Sequence, residues 1–229
     1  MSKRLVTLLF VMLTLDAVSN AAGQEGWHGA IAGGPIYSTQ HSDASFSEPG
    51  IPSPGVGGSA PGFVVSGEAA LKGPFGVGVE LSDISRFTAM QRTGGSSDPA
   101  LYQQQYRDVI VSALAHVHHR FGDRVGLDVV GGISFVQQDS IQRVATAPQF
   151  SSSFGPFGPE RSISSNTAAG TLGVDVGVGI MRHVSIGPTL RAHLVSRSRL
   201  GTDSNQEPTI FLDLSTLVWR FGGTLRVEF

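Results

Sequence analysis

The chain has 229 residues and a formal net charge of -2, so charge points neither to a nucleic-acid partner nor to an electrostatic membrane anchor. Charged residues make up only 15% and glycine reaches 30 residues, a combination that disfavours a helix-rich enzyme. With 0 cysteines there is no disulfide, thiolate metal site, cysteine nucleophile or lipoprotein cysteine.

Lys3 and Arg4 precede the apolar run Leu5 to Leu15, Asp16 ends it, and small residues follow from Ala17 to Gly23. This is the layout of a secretory signal, expected over residues 1–23 with the cut after Ala21, Ala22 or Gly23. The run is short of the roughly 20 residues of a spanning helix. No later segment is apolar for that length either, so whatever enters a membrane does so as strands.

A first strand is expected over 27–38, from Trp27 through Ile31, Ile36 and Tyr37, with Pro35 at a rim or a bulge because it cannot donate to a ladder. Residues 39–61 are rich in Ser, Gly and Pro and read as a long loop. Phe63, Val65, Gly67, Ala69 and Leu71 then alternate with Ser66, Glu68 and Lys72. Beyond a turn at Lys72-Gly73-Pro74, Phe75, Val77, Val79 and Leu81 alternate with Gly76, Gly78, Glu80 and Ser82, completing a hairpin.

A second long loop covers 88–101. The strand from Tyr102 to His119 sets Val109, Val111, Ala113, Ala115 and Val117 against Asp108, Ser112, His116 and His118, although Ile110 and Leu114 fall on the polar side. After a turn at Gly122-Asp123, Val125, Leu127, Val129, Gly131, Ile133 and Phe135 face away from Gly126, Asp128, Gly132 and Ser134. The third loop, 138–165, carries Phe150, Phe154 and Phe157, expected to pack on their own rim. Ala168 to Ile180 and Val184 to Leu194 form the next alternating pair around Arg182-His183, with a ladder irregularity expected at Pro188. A fourth loop spans 198–208.

The last strand is the clearest. Leu217, Trp219, Phe221, Gly223, Leu225, Val227 and Phe229 share one face, and Val218, Arg220, Gly222, Thr224, Arg226 and Glu228 the other. A helix would put Arg220 and Thr224 on the apolar stripe and carry a Gly222-Gly223 pair that costs roughly 2 kcal/mol against alanine. Trp219 and Phe229 stand about ten residues apart on one face, the crossing length of a tilted transmembrane strand with an aromatic at each interface.

The pattern predicts an all-β fold: an eight-stranded antiparallel up-and-down transmembrane β-barrel. Short turns on one side and long loops on the other are the connections of outer-membrane barrels, with both chain ends periplasmic. Inside would lie Glu68, Glu80, Asp128, Asp175, Arg191, Arg220 and Arg226. Five of them, Glu80, Asp128, Asp175, Arg191 and Arg220, are expected to meet at similar depth. An eight-stranded barrel has room only for side chains, so the expectation is a plugged lumen, with a narrow charged pore as the alternative and a large-solute porin excluded.

Catalytic chemistry is sparse. His116 and His118 share one face, which permits a metal pair, but no carboxylate spacing completes a zinc motif, so rim histidines and no metal are expected. His193 and Ser196 invite comparison with the lipid A deacylases, whose His-x-Ser pattern puts both side chains on one face. A spacing of three puts these two on opposite faces, so no catalytic residue is assigned.

Phe229, Val227, Leu225 and Phe221, with Gly223 the weak position, resemble the carboxy-terminal signature of bacterial outer-membrane proteins. The resemblance implies reading by the barrel-assembly machinery. The region after residue 23 looks like the small eight-stranded barrels of the OmpA, OmpX and OmpW kind, whose members are structural, adhesive, stress-related or carriers of small apolar molecules. It implies a monomer in outer-membrane lipid, without cofactor or nucleic acid, whose envelope role is borne by its loops. The alternatives it implies are a carrier of a small apolar ligand and a lipid-modifying enzyme.

Overall fold

The computed structural model describes residues 29–46, 56–71, 73–93, 100–122, 124–146, 155–196, 199–200, 210–213 and 217–229. The expected signal segment, Trp27, Phe150 and Phe154 lie outside them. Among the described residues every regular element is a strand: β1 Gly29–Phe46, β2 Val56–Ala70, β3 Phe75–Ile84, β4 Phe87–Thr93, β5 Ala100–Phe121, β6 Val125–Thr146, β7 Arg161–Met181, β8 Val184–Val195, β9 Arg199–Leu200, β10 Ile210–Asp213 and β11 Leu217–Glu228.

Neighbouring strands pair antiparallel from β1 round to β8, β8 pairs with β11, and β11 pairs back onto β1. The result is a closed barrel of eight staves. β4 prolongs β3 along β5, and β10 prolongs β11 along the upper part of β1. Paired hydrogen bonds of 2.9 Å between Gly29 and Phe229 seal the seam at its lower end. Closure leaves no free edge, which is what an environment without water demands of a sheet.

The strands run beyond the apolar stretches that announced them. β1 continues to Phe46, β2 starts at Val56, β6 reaches Thr146 and β7 begins at Arg161, where the sequence pattern predicted loop over 39–61 and 138–165. β4 and the start of β5 likewise enter the 88–101 range, and β9 the 198–208 range. A ladder satisfies backbone groups whatever the side chains are, so pairing persists in polar sequence where hydropathy gives no signal.

Pro35 and Pro188 both sit inside strands, as does Pro61 in β2. Pro35 pairs with Phe63 in the middle of β1 rather than at a rim, and its side chain points outward. The ladder to β11 simply skips from the Gly33–Leu225 rung to the Ile36–Gly222 rung without losing register. At Pro188 the β7–β8 ladder is interrupted between the Asp175–Thr189 and Val178–Ile186 rungs, and a bulge follows between Gly179 and Met181.

The short turns hold the lower end. Gly73 (φ 78°) and Gly122 (φ 65°) occupy the left-handed region that disfavours a Cβ. Gly122→Ala is expected to lower folding stability by about 1 kcal/mol. Urea-dependent folding into lipid vesicles would register it.

Burial inverts that of a water-soluble barrel. Outward stand Phe63, Val77, Val129, Ile133, Phe135, Leu172, Ile186 and Leu225, each between 47% and 74% exposed. Inward stand Glu68, Glu80, Asp128, Arg191 and Arg220, all 6% exposed or less. Trp219, Phe221, Leu225, Val227 and Phe229 are all on the outer face. Such a continuous outer apolar surface is far larger than a soluble monomer carries.

The shear decides which inner residues meet. Following hydrogen-bonded neighbours from Ala30 leads to Glu68, Gly78, Leu114, Gly132, Thr171, His193 and Val218, and returns to β1 at Gln40, ten residues beyond the start. Residues on one rung therefore climb the wall. Equal distance along each strand does not mean equal height.

Candidate functional site

The inward side chains stack in tiers from the turn end to the loop end. The lowest holds Glu68 from β2, His116 and His118 from β5, Asp128 from β6 and Arg226 from β11. His116 Nδ1 lies 2.8 Å from Asp128 Oδ2, and His118 Nε2 contacts Glu68 Oε1. Arg226 Nη2 is 2.8 Å from Glu68 Oε2. A rim pair, Arg120 to Glu228 at 3.0 Å, stands outside them. All of these line an open vestibule of about 720 Å³. His116 is buried within this tier rather than standing at the rim, because the carboxylates of two other strands close over it.

The next tier is built on Arg191. Its Nε and Nη2 donate to Glu80 Oε2 at 3.1 and 2.8 Å, and its Nη1 and Nη2 to Asp175 Oδ1 and Oδ2 at 2.7 and 2.9 Å. One guanidinium thus joins β3, β7 and β8 across the lumen. The fork geometry makes this a strong, oriented contact. Gly173 gives it room, since a Cβ there would come within 2.5 Å of Arg191 Cδ.

Above it runs a chain of hydroxyls. Ser112 Oγ is 2.7 Å from Ser134 Oγ, Ser134 contacts Thr171, and Thr171 Oγ1 is 2.8 Å from His193 Nδ1. On the opposite wall Arg220 Nη1 donates to Ser82 Oγ. Nearer the loop end Ile110, Val136, Ala169, Val195 and Val218 form one apolar cluster, and Ile36, Ala60, Val64 and Ile84 another; beyond Ile110 and Val136 the buried Tyr106, Asp108 and Gln138 make the lumen polar again. Where Ile36 and Val64 meet Arg191 and Arg220, the gap is a pocket of about 10 Å³, room for one water at most.

The five charges expected at one depth are therefore divided. Asp128 belongs with Glu68 and Arg226 below, Glu80 and Asp175 hold Arg191, and Arg220 stands above them against Ser82. The climb of the rungs separates them. The hydroxyl chain and the apolar tiers were missed from sequence, although their signal was present: Ile110, Leu114, Val136 and Val218 all sit on the inward parity of their strands. His193 is fully buried and Ser196 is exposed, so the two do not approach as nucleophile and base. Phe157 is partly buried beside the segment that carries the Arg143–Glu160 pair.

No protein-family model matches the sequence. Comparison with curated proteins finds no match either. Among solved structures, the outer membrane protein OprG from Pseudomonas aeruginosa is similar at 12% identity over 90% of this chain and 98% of that one, with a TM-score of 0.55. A major outer membrane protein from Thermus thermophilus is similar at 13% identity over 85% and 99%, with a TM-score of 0.50. The chain has the fold of the small outer-membrane β-barrels. At such identities the likeness concerns the backbone alone, so the tiers of this barrel must be read from its own side chains. Along the axis they run from an open charged vestibule through one bridging guanidinium and a hydroxyl chain to an apolar layer, with buried polar groups beyond it.

Proposed function

We propose that this chain is a non-enzymatic integral protein of a bacterial outer membrane, with a sealed lumen and an envelope or surface role carried by its loop end. The turn end, with the vestibule, faces the periplasm, and the outer apolar belt meets lipid. β11 presents Trp219, Phe221, Leu225, Val227 and Phe229 to the assembly machinery. Because β1 and β11 pair with each other, one chain closes the barrel by itself, which supports a monomer.

The observation that carries the sealed lumen is the Arg191–Glu80–Asp175 bridge beneath the apolar tiers, with a gap of about 10 Å³ between them. Ions entering the vestibule meet a cross-braced guanidinium, then the packed hydroxyl chain and an apolar layer. The expected result in planar bilayers is the absence of stable step currents. A steady step current that changes with Asp175→Ala would overturn the sealed lumen.

One feature favours a second reading as a narrow channel or carrier: the vestibule already opens the lower part of the axis to water-sized solutes. In that reading the Arg191 bridge is a gate. Glu80→Gln with Asp175→Asn, which frees Arg191 to move, would then produce current where the native chain gives none.

A further inference from the structure

Glu68, His116, His118 and Asp128 meet in the vestibule, and a sealed barrel makes no use of their chemistry. One ligand atom from each lies within 4.8 Å of all the others. The geometry points to a binding site for one first-row divalent cation of the zinc class, held by these two imidazoles and two carboxylates. Imidazole nitrogens mixed with carboxylate oxygens suit zinc and its neighbours, whereas calcium and magnesium take oxygen throughout.

The spacing fits such an ion. Bonds of about 2.0–2.1 Å in a tetrahedron set ligand atoms roughly 3.3 Å apart. His116 Nδ1 lies 2.8 Å from Asp128 Oδ2 and 3.6 Å from Glu68 Oε2, and His118 Nδ1 lies 3.4 Å from Asp128 Oδ1. These separations straddle that value but use both oxygens of Asp128, and one atom from each residue lies within 4.8 Å of the rest, so side-chain rotation must bring four of them to tetrahedral spacing.

Three further observations point to a ligand. Asp128 is only 5% exposed, yet its Oδ1, turned toward His118, makes no hydrogen bond. A buried carboxylate oxygen without a hydrogen bond is costly, and a cation would satisfy it. Second, β3 is cut away opposite the imidazoles: a Cβ at Gly76 would lie 2.5 Å from Glu68 Oε1 and 3.1 Å from His118 Nε2, and one at Gly78 would lie 2.8 Å from His116 Nε2. Third, Arg226 is the one guanidinium in contact with both carboxylates among the described residues, so it offsets only half of their charge. The vestibule supplies the entry path.

A bound ion would clip β2, β5 and β6 together across β3. The test uses the full chain folded in detergent and purified without a polyhistidine tag, titrated with Zn²⁺ alone and with Co²⁺ alone. Expected are one ion per chain, the intense visible absorption of tetrahedral cobalt, and a higher unfolding temperature in Zn²⁺. Loss of outer partners alone weakens metal sites about 10–100-fold, so His116→Ala and Asp128→Asn should each weaken binding at least tenfold. Arg226→Gln, which frees both carboxylates from their competing cation, should strengthen it, and Arg143→Ala, which lies outside the vestibule and pairs with Glu160, should leave it unchanged. Circular dichroism confirms folding of each variant. Absence of binding to the folded native chain, or binding unaltered in a folded His116→Ala/His118→Ala variant, overturns the site.

Discussion

Arg191→Ala is expected to destabilise the barrel by about 3–5 kcal/mol, the usual consequence of removing one member of a buried ionic group. The Arg191 side chain is 7% exposed and that of Glu80 3%, so water reaches neither well enough to replace the lost partner. Asp175, at 23%, keeps some hydration. The damage comes less from five missing hydrogen bonds than from the two carboxylates left facing each other in the lumen. That cause has its own signature. Arg191→Met combined with Glu80→Gln and Asp175→Asn removes every charge and should recover most of the loss. Equilibrium folding into vesicles against urea measures both variants. A change below about 1 kcal/mol for Arg191→Ala would mean that the bridge is not the brace described above.

How far the sequence speaks for this fold depends on which physical signal each part leaves. β11 was legible nearly residue by residue, because the outer face of a membrane strand is apolar and its inner face mostly is not, and Trp219 to Glu228 keep that parity, with Val218 the apolar exception inside. Strand ends were not legible. Residues 41–46 of β1 and 139–146 of β6 pair above the apolar band, where ladder hydrogen bonds continue and hydropathy no longer alternates. The tiers were hidden for another reason. Glu68 and His118 are separated by 50 positions in sequence and by the whole of β3, and only the ten-residue climb of the rungs brings them into contact. Spacing within one strand showed that His116 and His118 share a face, but it could not show that their carboxylates arrive from β2 and β6. Ile110 and Leu114 looked like faults in a polar face. Ile110 belongs to the apolar layer and Leu114 is buried below the hydroxyl chain, since a lumen filled by side chains gains from apolar filling as readily as from ion pairs.

Val129→Arg is expected to cost about 2–4 kcal/mol, and Met181→Arg about 0–1 kcal/mol, in the same vesicle-folding measurement. Both residues are exposed, Val129 at 50% on the outer face and Met181 at 72% at the rim of the vestibule. On a water-soluble barrel the two substitutions would each fall within about 0.5 kcal/mol, because an arginine on a wet surface loses no hydration. In a bilayer, depth separates them. Val129 stands midway along the outward apolar run of β6 from Val125 to Phe135, whereas Met181 ends β7 beside the Arg182-His183 turn, where a guanidinium reaches the interface. A steep difference between the two positions therefore reports hydrocarbon around the middle of the barrel, independently of anything inside it. Equal and small effects would remove the lipid from this picture, and with it the reason for turning the apolar faces outward.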